Sequence, residues 1–282
     1  MSEAALWNRT KFPLTAQSLA DELRRCGMAA GQTVLVHMAM SKLNFVVGGA
    51  QAVVMAFLDV LGPTGTLMMP THTLYNLDPI ESQNPPIPES WHQTIRDHLP
   101  AYDPRRSPTM NMGTVPELFR TWPGVRRSAH PTTSFAALGP NAQFLIDNHP
   151  LKDETGDASP VGRLYDLDGE VLLLGVEHWN NTSLHLAESR ADYPGKGNLK
   201  TGSAILVDGQ RQWVEYEVFD TGGDDFGALG TAFDSAYDIV VNKIADAEVR
   251  FFKQRAVVDF ATAWIEKHRD LTRDSTTNSA SE

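Results

Sequence analysis

The chain has 282 residues, 41% of them hydrophobic, which is enough for one large domain or two small ones around a substantial core. Its net charge of −11 argues against a nucleic-acid partner, because phosphate backbones attract basic surfaces, and it is compatible with a cationic substrate. The sequence contains no run of eighteen apolar residues, so we expect no membrane span, and its first residues lack the apolar core of a signal peptide. With one cysteine, Cys26, no internal disulfide can form. We therefore expect a cytoplasmic protein.

The first seventy residues predict a βαβ unit preceded by a helix. Apolar spacing indicates a helix over Ala16–Cys26, a buried strand at Thr33–His37 and a second helix over Ala50–Leu61. A loop over Met38–Gly49 joins that strand to the second helix, and another short strand follows at Thr66–Met69. This order implies parallel neighbours joined by a right-handed crossover.

The next segment, Thr71–Asn111, is long and contains seven prolines, which is typical of a lid or a binding surface in a compact domain. Three short helices are predicted after it, at Thr114–Thr121, Pro140–Asn148 and Pro160–Tyr165.

The stretch from Val171 to Arg190 carries the strongest indication of a site. An apolar strand at Val171–Leu174 is followed by a polar turn, after which Thr182 or Ser183 is expected to cap a helix. On that helix His185 and Glu188 are three residues apart and share a face. Open α/β folds place their chemistry at this end of a strand. A lone histidine is more often structural, but the polar residues around this one favour a site.

The remaining chain predicts a hairpin, a helix and a tail. Asp208–Gly209 is a turn dipeptide between strands at Ala204–Val207 and Trp213–Phe219, and an amphipathic helix covers Arg255–His268. Without repeats or linkers, we expect one α/β domain over residues 1–269, with a central mostly parallel or mixed sheet, flanking helices and an appended hairpin. Residues 270–282 are predicted to be a disordered polar tail.

Seven acidic residues and no lysine or arginine lie between Glu215 and Asp238. Such a segment is either a solvated acidic loop or a docking surface for a polyamine, and composition leaves both readings open.

Other motifs are weaker. The glycine pair before Ala50 and the Arg105–Arg106 pair could each hold phosphate, although a turn explains either one more simply. No histidine pair has the helical spacing of a zinc ligand set and no Gly-x-Ser-x-Gly is present. Cys26 falls on the apolar side of a helix, where a thiol behaves as a small hydrophobe.

Three stretches in order resemble the aminoglycoside 3-N-acetyltransferases, the antibiotic N-acetyltransferase family. They read VLVHMAMSKLNFVVGGAQAVVMAFLDVLGPTGTLMMPTHT, SPTMNMGTVPELFRTWPGVRRSAHPTTSFAALG and LLLGVEHWNNTSLHLAE. The resemblance implies that family's own α/β fold and not the commoner GNAT acetyltransferase fold. It also implies acetyl-CoA as co-substrate, no metal, and N-acetylation of the 3-amino group of 2-deoxystreptamine antibiotics, conferring resistance.

The resemblance also implies site residues. It places the family's histidine at His185 and its glutamate at Glu188. We expect His185 to be the general base, with His178 as the next choice, and either Glu188 or a more distant acid as its carboxylate partner. For acetyl-CoA it implies the residues His37, Ser41, Lys42, Leu43, Asn44, Val47, Gly48, Ser107, Thr109, Met112 and Gly113. For the aminoglycoside it implies Tyr75, Asp103, His178, Asp220, Asp224 and Asp225. The chain departs from the family at Glu177, His178 and Trp179, where many relatives have glycine, then tyrosine or histidine, then aspartate.

Alternatives remain open at this stage. The acceptor could be a non-antibiotic amine, with the same acetyl-CoA chemistry. A metal-dependent hydrolase using His72, His178 and His185 and a non-catalytic binding module are further readings. We expect a monomer or a homodimer.

Overall fold

The computed structural model describes residues 7–82, 85–220 and 222–272. Nine strands are found in these ranges: β1 (Thr33–Met38), β2 (Thr66–Pro70), β3 (Arg126–Arg127), β4 (Phe135–Leu138), β5 (Glu170–Leu174), β6 (Asn198–Val207), β7 (Gln210–Phe219), β8 (Asn242–Ile244) and β9 (Ala247–Lys253). Seven of them form one sheet in the order β3-β4-β2-β1-β5-β9-β8, while β6 and β7 form a separate two-stranded ribbon. The prediction of a mixed sheet with an appended hairpin is confirmed.

Only the centre of the sheet is parallel. β1 pairs in parallel with β2 on one side and with β5 on the other, whereas the outer strands pair antiparallel. The three central strands are apolar and almost entirely buried, as expected for strands covered on both faces. Their carboxyl ends therefore meet at one edge.

Helices cover both faces of the sheet. They are α1 (Ala16–Arg25), α2 (Gly49–Leu61), α3 (Glu89–His98), α4 (Thr114–Phe119), α5 (Ala142–Ile146), α6 (Pro160–Asp166), α7 (Ser183–Arg190), α8 (Phe226–Ala236) and α9 (Gln254–His268). Alternation along β1 divides the core, because Val34 and Val36 join the cluster under α1 and α2, while Leu35 joins the cluster under α7, α8 and α9. No described helix is long and apolar enough to cross a membrane.

Several elements differ from the sequence prediction. The proline-rich segment contains α3, and the acidic segment contains α8 rather than being only a loop. The strands β3, β4, β8 and β9 were not predicted, and both ribbon strands extend beyond the predicted hairpin. The helix predicted at Pro140–Asn148 is confined to α5, and it ends at Ile146 because the backbone of Asp147 is extended.

The end of the domain is also attached to the core. The backbone N–H of Leu271 donates to the carbonyl of Pro194 at 3.0 Å, and the Leu271 side chain packs on the core. Residues 270–272 are thus placed, and residues 273–282 of the predicted tail lie outside the described residues.

Candidate active site

The carboxyl ends of the three parallel strands bring three histidines to one edge of the sheet. His37 lies on β1, His72 follows β2 by two residues, and His185 lies in the first turn of α7, which follows β5. All three line a single cavity. The position is the one at which open α/β sheets bind ligands.

The start of α7 is fixed by side chains other than those predicted. The hydroxyl of Thr182 makes no capping bond; instead the amide oxygen of Asn181 accepts the backbone N–H of Ser183 at 3.2 Å. The Ser183 hydroxyl accepts a hydrogen bond from Gln254 at 3.0 Å, and both side chains are fully buried. The helix that carries His185 is therefore anchored to α9 at its first residue.

His185 and Glu188 form a direct hydrogen bond. The Nδ1 atom of His185 lies 2.5 Å from Oε2 of Glu188, which is the contact that their spacing allows on one helix face. A carboxylate at Nδ1 favours the tautomer that carries its proton there and leaves a lone pair on Nε2. Nε2 makes no hydrogen bond within the described part of the chain.

Glu188 is 2% exposed, and its two carboxylate oxygens have different partners, His185 and Arg269. Its second oxygen, Oε1, accepts a hydrogen bond from the guanidinium of Arg269. Burial raises the pKa of Glu188, but the neighbouring His185 and Arg269 outweigh it, so that the pKa lies below its usual value. Glu188 is therefore an ionised partner for His185 at neutral pH.

The other two histidines of the edge are uncharged. Burial lowers the pKa of His37 to about 3, with a further contribution from His185, and burial together with the neighbouring histidines lowers that of His72 to about 3. Imidazoles with such pKa values are weak bases at neutral pH. His185 differs from both in that a carboxylate, Glu188, is hydrogen-bonded to its Nδ1.

Two cavities meet at His185. The first, called the acidic cavity below, has a volume of about 360 Å³ and is lined in part by Glu81, Glu154 and Asp220. No lysine or arginine is among the described residues of its wall. The second is lined by His37, Met112, Trp179 and others; it shares six residues with a neighbouring cavity that reaches Ser41 and Gly113. We call these two connected cavities the channel.

Three residues, His72, Thr182 and His185, lie on the walls of both the acidic cavity and the channel. The His185–Glu188 pair therefore stands where a molecule in one cavity would meet a molecule in the other.

Glu154 reaches the acidic cavity because a buried histidine holds its loop. Nε2 of His149 lies 2.7 Å from the carbonyl oxygen of Glu154, and Nδ1 lies 3.0 Å from the hydroxyl of Ser128. Burial raises the pKa of Glu154 to about 7, although its own backbone N–H and His185 lower it. A carboxyl group in this position gains stability by binding a cation.

The residues implied for acetyl-CoA separate into two groups. His37, Ser41, Met112 and Gly113 line the channel. Leu43 is fully buried in the core, and Asn44 is also buried, so neither side chain faces the channel. The others outside its wall are Lys42, Val47, Gly48, Ser107 and Thr109. Ser107 instead accepts a hydrogen bond from the backbone N–H of Asp103 at 3.0 Å.

The residues implied for the aminoglycoside are also divided. Asp220 lines the acidic cavity. Both oxygens of Asp225 accept hydrogen bonds from Arg269, and Asp224 lies beside it in a separate surface depression.

The other three lie outside the wall of the acidic cavity. His178 is buried, with Nε2 2.9 Å from Asp234, and stacks on Phe252. Tyr75 is exposed to solvent, and Asp103 closes a local turn by accepting the N–H of Arg105.

Sequence reasoning missed four side chains near His185: Glu81, Glu154, Tyr216 and Arg269. Tyr216 had no distinguishing pattern, and the two glutamates, one at the end of a short 3-10 helix and one in a turn, lie far apart in the chain. The acidic segment drew attention to Asp225 but not to the arginine that neutralises it. Among the described residues, no group of three or more histidine, cysteine, aspartate or glutamate side chains could hold a metal ion.

The comparison with known proteins agrees with this geometry. The family model of aminoglycoside 3-N-acetyltransferase matches residues 35–266, which is most of the chain. The chain belongs to the aminoglycoside 3-N-acetyltransferase family. The resemblance seen in the sequence is therefore confirmed, and with it the assignment to an acyltransferase family.

Individual relatives match over nearly their whole length. The SPbeta prophage-derived aminoglycoside N(3')-acetyltransferase-like protein YokD of Bacillus subtilis (strain 168) is 40% identical over 91% of this chain and 94% of its own. Its crystal structure superposes with a TM-score of 0.89 over 92% of this chain and 96% of that one. Aminoglycoside N(3)-acetyltransferase VII of Streptomyces paromomycinus is 38% identical over 95% of this chain and 96% of its own.

A structure described as AAC-IIIb binary with CoASH is 31% identical to this chain. It superposes with a TM-score of 0.82 over 92% of this chain and 98% of that one.

The raised pKa of Glu154 predicts a pH-dependent cost to stability. The folded protein keeps a proton on Glu154 up to a pH of about 7, whereas the unfolded chain loses it near its usual value of 4.5. Wild-type stability should therefore fall relative to that of Glu154→Gln as the pH rises between these values. We expect the wild type and Glu154→Gln to have similar free energies of unfolding in urea near pH 4. Near pH 8 the variant should be more stable than the wild type by roughly 1–3 kcal/mol. The exposed Glu177→Gln is the control, and an unchanging difference for Glu154→Gln would contradict the assignment.

Proposed function

We propose that the protein transfers the acetyl group of acetyl-CoA to the 3-amino group of a 2-deoxystreptamine aminoglycoside, directly and with His185 as general base. The observation that carries this proposal is the position of the His185–Glu188 pair on the shared boundary of the acidic cavity and the channel. The family to which the chain belongs supports the same reaction.

The acidic cavity suits a polycationic acceptor. Its acidic side chains Glu81, Glu154 and Asp220 face a space whose described wall contains no lysine or arginine, so ammonium groups of the acceptor would balance their charge. The hydroxyl of Thr201 donates to Glu81 and keeps that side chain in place. A related chain is described as AAC-VIa bound to sisomicin, which supports this class of acceptor.

The channel suits a thioester co-substrate. It runs from His185 past Met112 to Ser41, Gly113 and the start of α4, and the CoASH complex of AAC-IIIb supports this ligand. His37, Ser41, Met112 and Gly113 are the residues that would hold acetyl-CoA here. When bound, acetyl-CoA supplies an activated acetyl group, and the overall reaction forms an amide N–C bond and breaks a C–S bond.

His185 makes the acceptor nucleophilic. An aminoglycoside amine is mostly protonated at neutral pH and attacks only after losing a proton, which Nε2 of His185 accepts. Glu188, ionised and hydrogen-bonded at Nδ1, stabilises the imidazolium that results. The nitrogen gives up a second proton as the amide forms, so that one of the two protons passes through His185 to the departing sulfur and the other is released to solvent. The backbone N–H of Thr182, on the wall of both cavities, is our candidate for stabilising the carbonyl oxygen as it becomes negative.

Removing the base should abolish most turnover. We expect His185→Ala to lower kcat by about 10²–10⁴-fold, with acetyl-CoA binding retained, as measured by release of the CoA thiol and by calorimetric titration. His98→Ala, an exposed histidine on α3, is the control and should remain close to wild type. Turnover of His185→Ala near the wild-type rate would remove His185 from the mechanism.

The charge of the acidic cavity should appear in the acceptor KM. Glu154→Gln and Asp220→Asn should each raise the aminoglycoside KM by about 5- to 50-fold and leave the acetyl-CoA KM unchanged. Salt screens such contacts because the Debye length falls as the ionic strength rises. The aminoglycoside KM of the wild type should therefore rise between about 0.05 and about 0.5 M salt, and that of each variant should rise less steeply. Asp224→Asn, outside this cavity, tests the wider acidic segment: an equal rise there would favour docking on that segment instead.

Direct transfer predicts sequential kinetics. The one cysteine of the chain, Cys26, lies at the end of α1 against the core and burial raises its pKa, so it is a poor nucleophile. Initial-rate plots with both substrates varied should intersect, since both must be bound together. Parallel lines, or an acetylated enzyme trapped without acceptor, would contradict direct transfer.

A non-antibiotic amine acceptor remains the second candidate, because the acidic cavity selects for positive charge and not for a particular ring system. A panel of aminoglycosides that gives no thiol release, while a simpler polyamine does, would favour it.

A further inference from the structure

Arg269 lies directly after the last helix and is almost completely buried. Its relative exposure is 7%, and it contacts two acidic side chains from different elements. Nε and Nη2 donate to Asp225 at 2.9 and 2.6 Å, and Nη1 donates to Oε1 of Glu188. The guanidinium therefore bridges the start of α8 to the carboxylate that holds His185.

Aromatic rings limit the positions that Arg269 can take. Its guanidinium carbon lies 5.1 Å from the ring centre of Tyr193 and 5.9 Å from that of Phe226. Phe226 also packs against the His185 ring, with centroids 5.0 Å apart. Phe226 therefore contacts both the Arg269 guanidinium and the His185 ring.

The charges of the cluster explain why an arginine is required. Asp225, Arg269 and Glu188 alternate in sign, and the two carboxylates raise the pKa of Arg269 despite burial, so it stays charged. Without that cation, Glu188 would be a buried carboxylate whose Oε1 has no partner, and it would turn toward solvent or take up a proton. Either change would withdraw Oε2 from His185.

We infer that Arg269 is a positioning residue for the acetyl transfer: held by Asp225, it fixes Glu188 so that His185 keeps its orientation and its proton acceptor at Nε2. It touches neither cavity itself, and its effect passes through Glu188. This inference rests on the proposed role of His185.

The test is a set of variants measured for kcat, KM and thermal stability. Arg269→Met should lower kcat by about 10- to 100-fold, with less than a twofold change in the acetyl-CoA KM. Arg269→Lys keeps the charge but cannot bridge both carboxylates, so it should retain an intermediate kcat. Asp225→Asn, which loosens the bridge from its far end, should lower kcat less than Arg269→Met does.

Arg250 is the matched control. It is a half-buried arginine on β9 that pairs with two acids, Asp234 and Glu248, and lines neither the acidic cavity nor the channel. Arg250→Met should lower stability and leave kcat close to wild type. Equal losses of kcat in Arg250→Met and Arg269→Met would assign both to general destabilisation and overturn the inference.

A double-mutant cycle separates positioning from structure. If Arg269 acts through Glu188, adding Arg269→Met to Glu188→Gln should lower kcat by less than about threefold more, whereas independent effects would multiply. If the kcat losses of the two single variants multiply in the double variant, the inference is overturned. An active Arg269→Met beside an inactive His185→Ala overturns it while leaving the proposed function intact, and an active His185→Ala instead removes the proposed function. Where Arg269→Met does not fold, Arg269→Lys and Asp225→Asn enter the same cycle.

Discussion

The candidate active site is built around one buried carboxylate. Glu188 is 2% exposed, and both of its oxygens are engaged, one by His185 and one by Arg269. A buried charge is stable only where its partners are fixed, so the elements around it must hold those partners in place. Gln254 anchors the start of α7, Asp225 holds Arg269, and Phe226 supports the histidine ring. These contacts join α7, α8 and α9 around Glu188.

The sequence predicted the parts of this arrangement that depend on local pattern. Apolar runs identified β1, β2 and β5, and the i, i+3 spacing placed His185 and Glu188 on one helix face. Even the helix start was nearly right, although Asn181 makes the capping bond in place of the expected hydroxyls.

Contacts between distant segments could not be predicted in the same way. Glu154 faces the acidic cavity because His149 holds its loop, and Arg269 meets Glu188 across 81 positions of chain. In the acidic segment, two glycines inside α8 weaken the helical signal of its sequence, and so the helix that begins after Asp225 and the pairing of Asp225 with Arg269 were missed. Local sequence patterns predict helices and strands, whereas the positions of side chains that converge from several loops are determined by tertiary packing.

The ribbon of β6 and β7 stands apart from the seven-stranded sheet, yet its side chains Leu199, Thr201, Tyr216 and Val218 form one wall of the acidic cavity. His37 lies on β1 and His185 on α7, so substitutions on that wall do not alter the elements that carry these two histidines. If the acidic cavity binds the acceptor as proposed, substitutions in the ribbon would reshape its wall without altering β1 or α7, and drift there is a route by which members of the family come to differ in antibiotic spectrum.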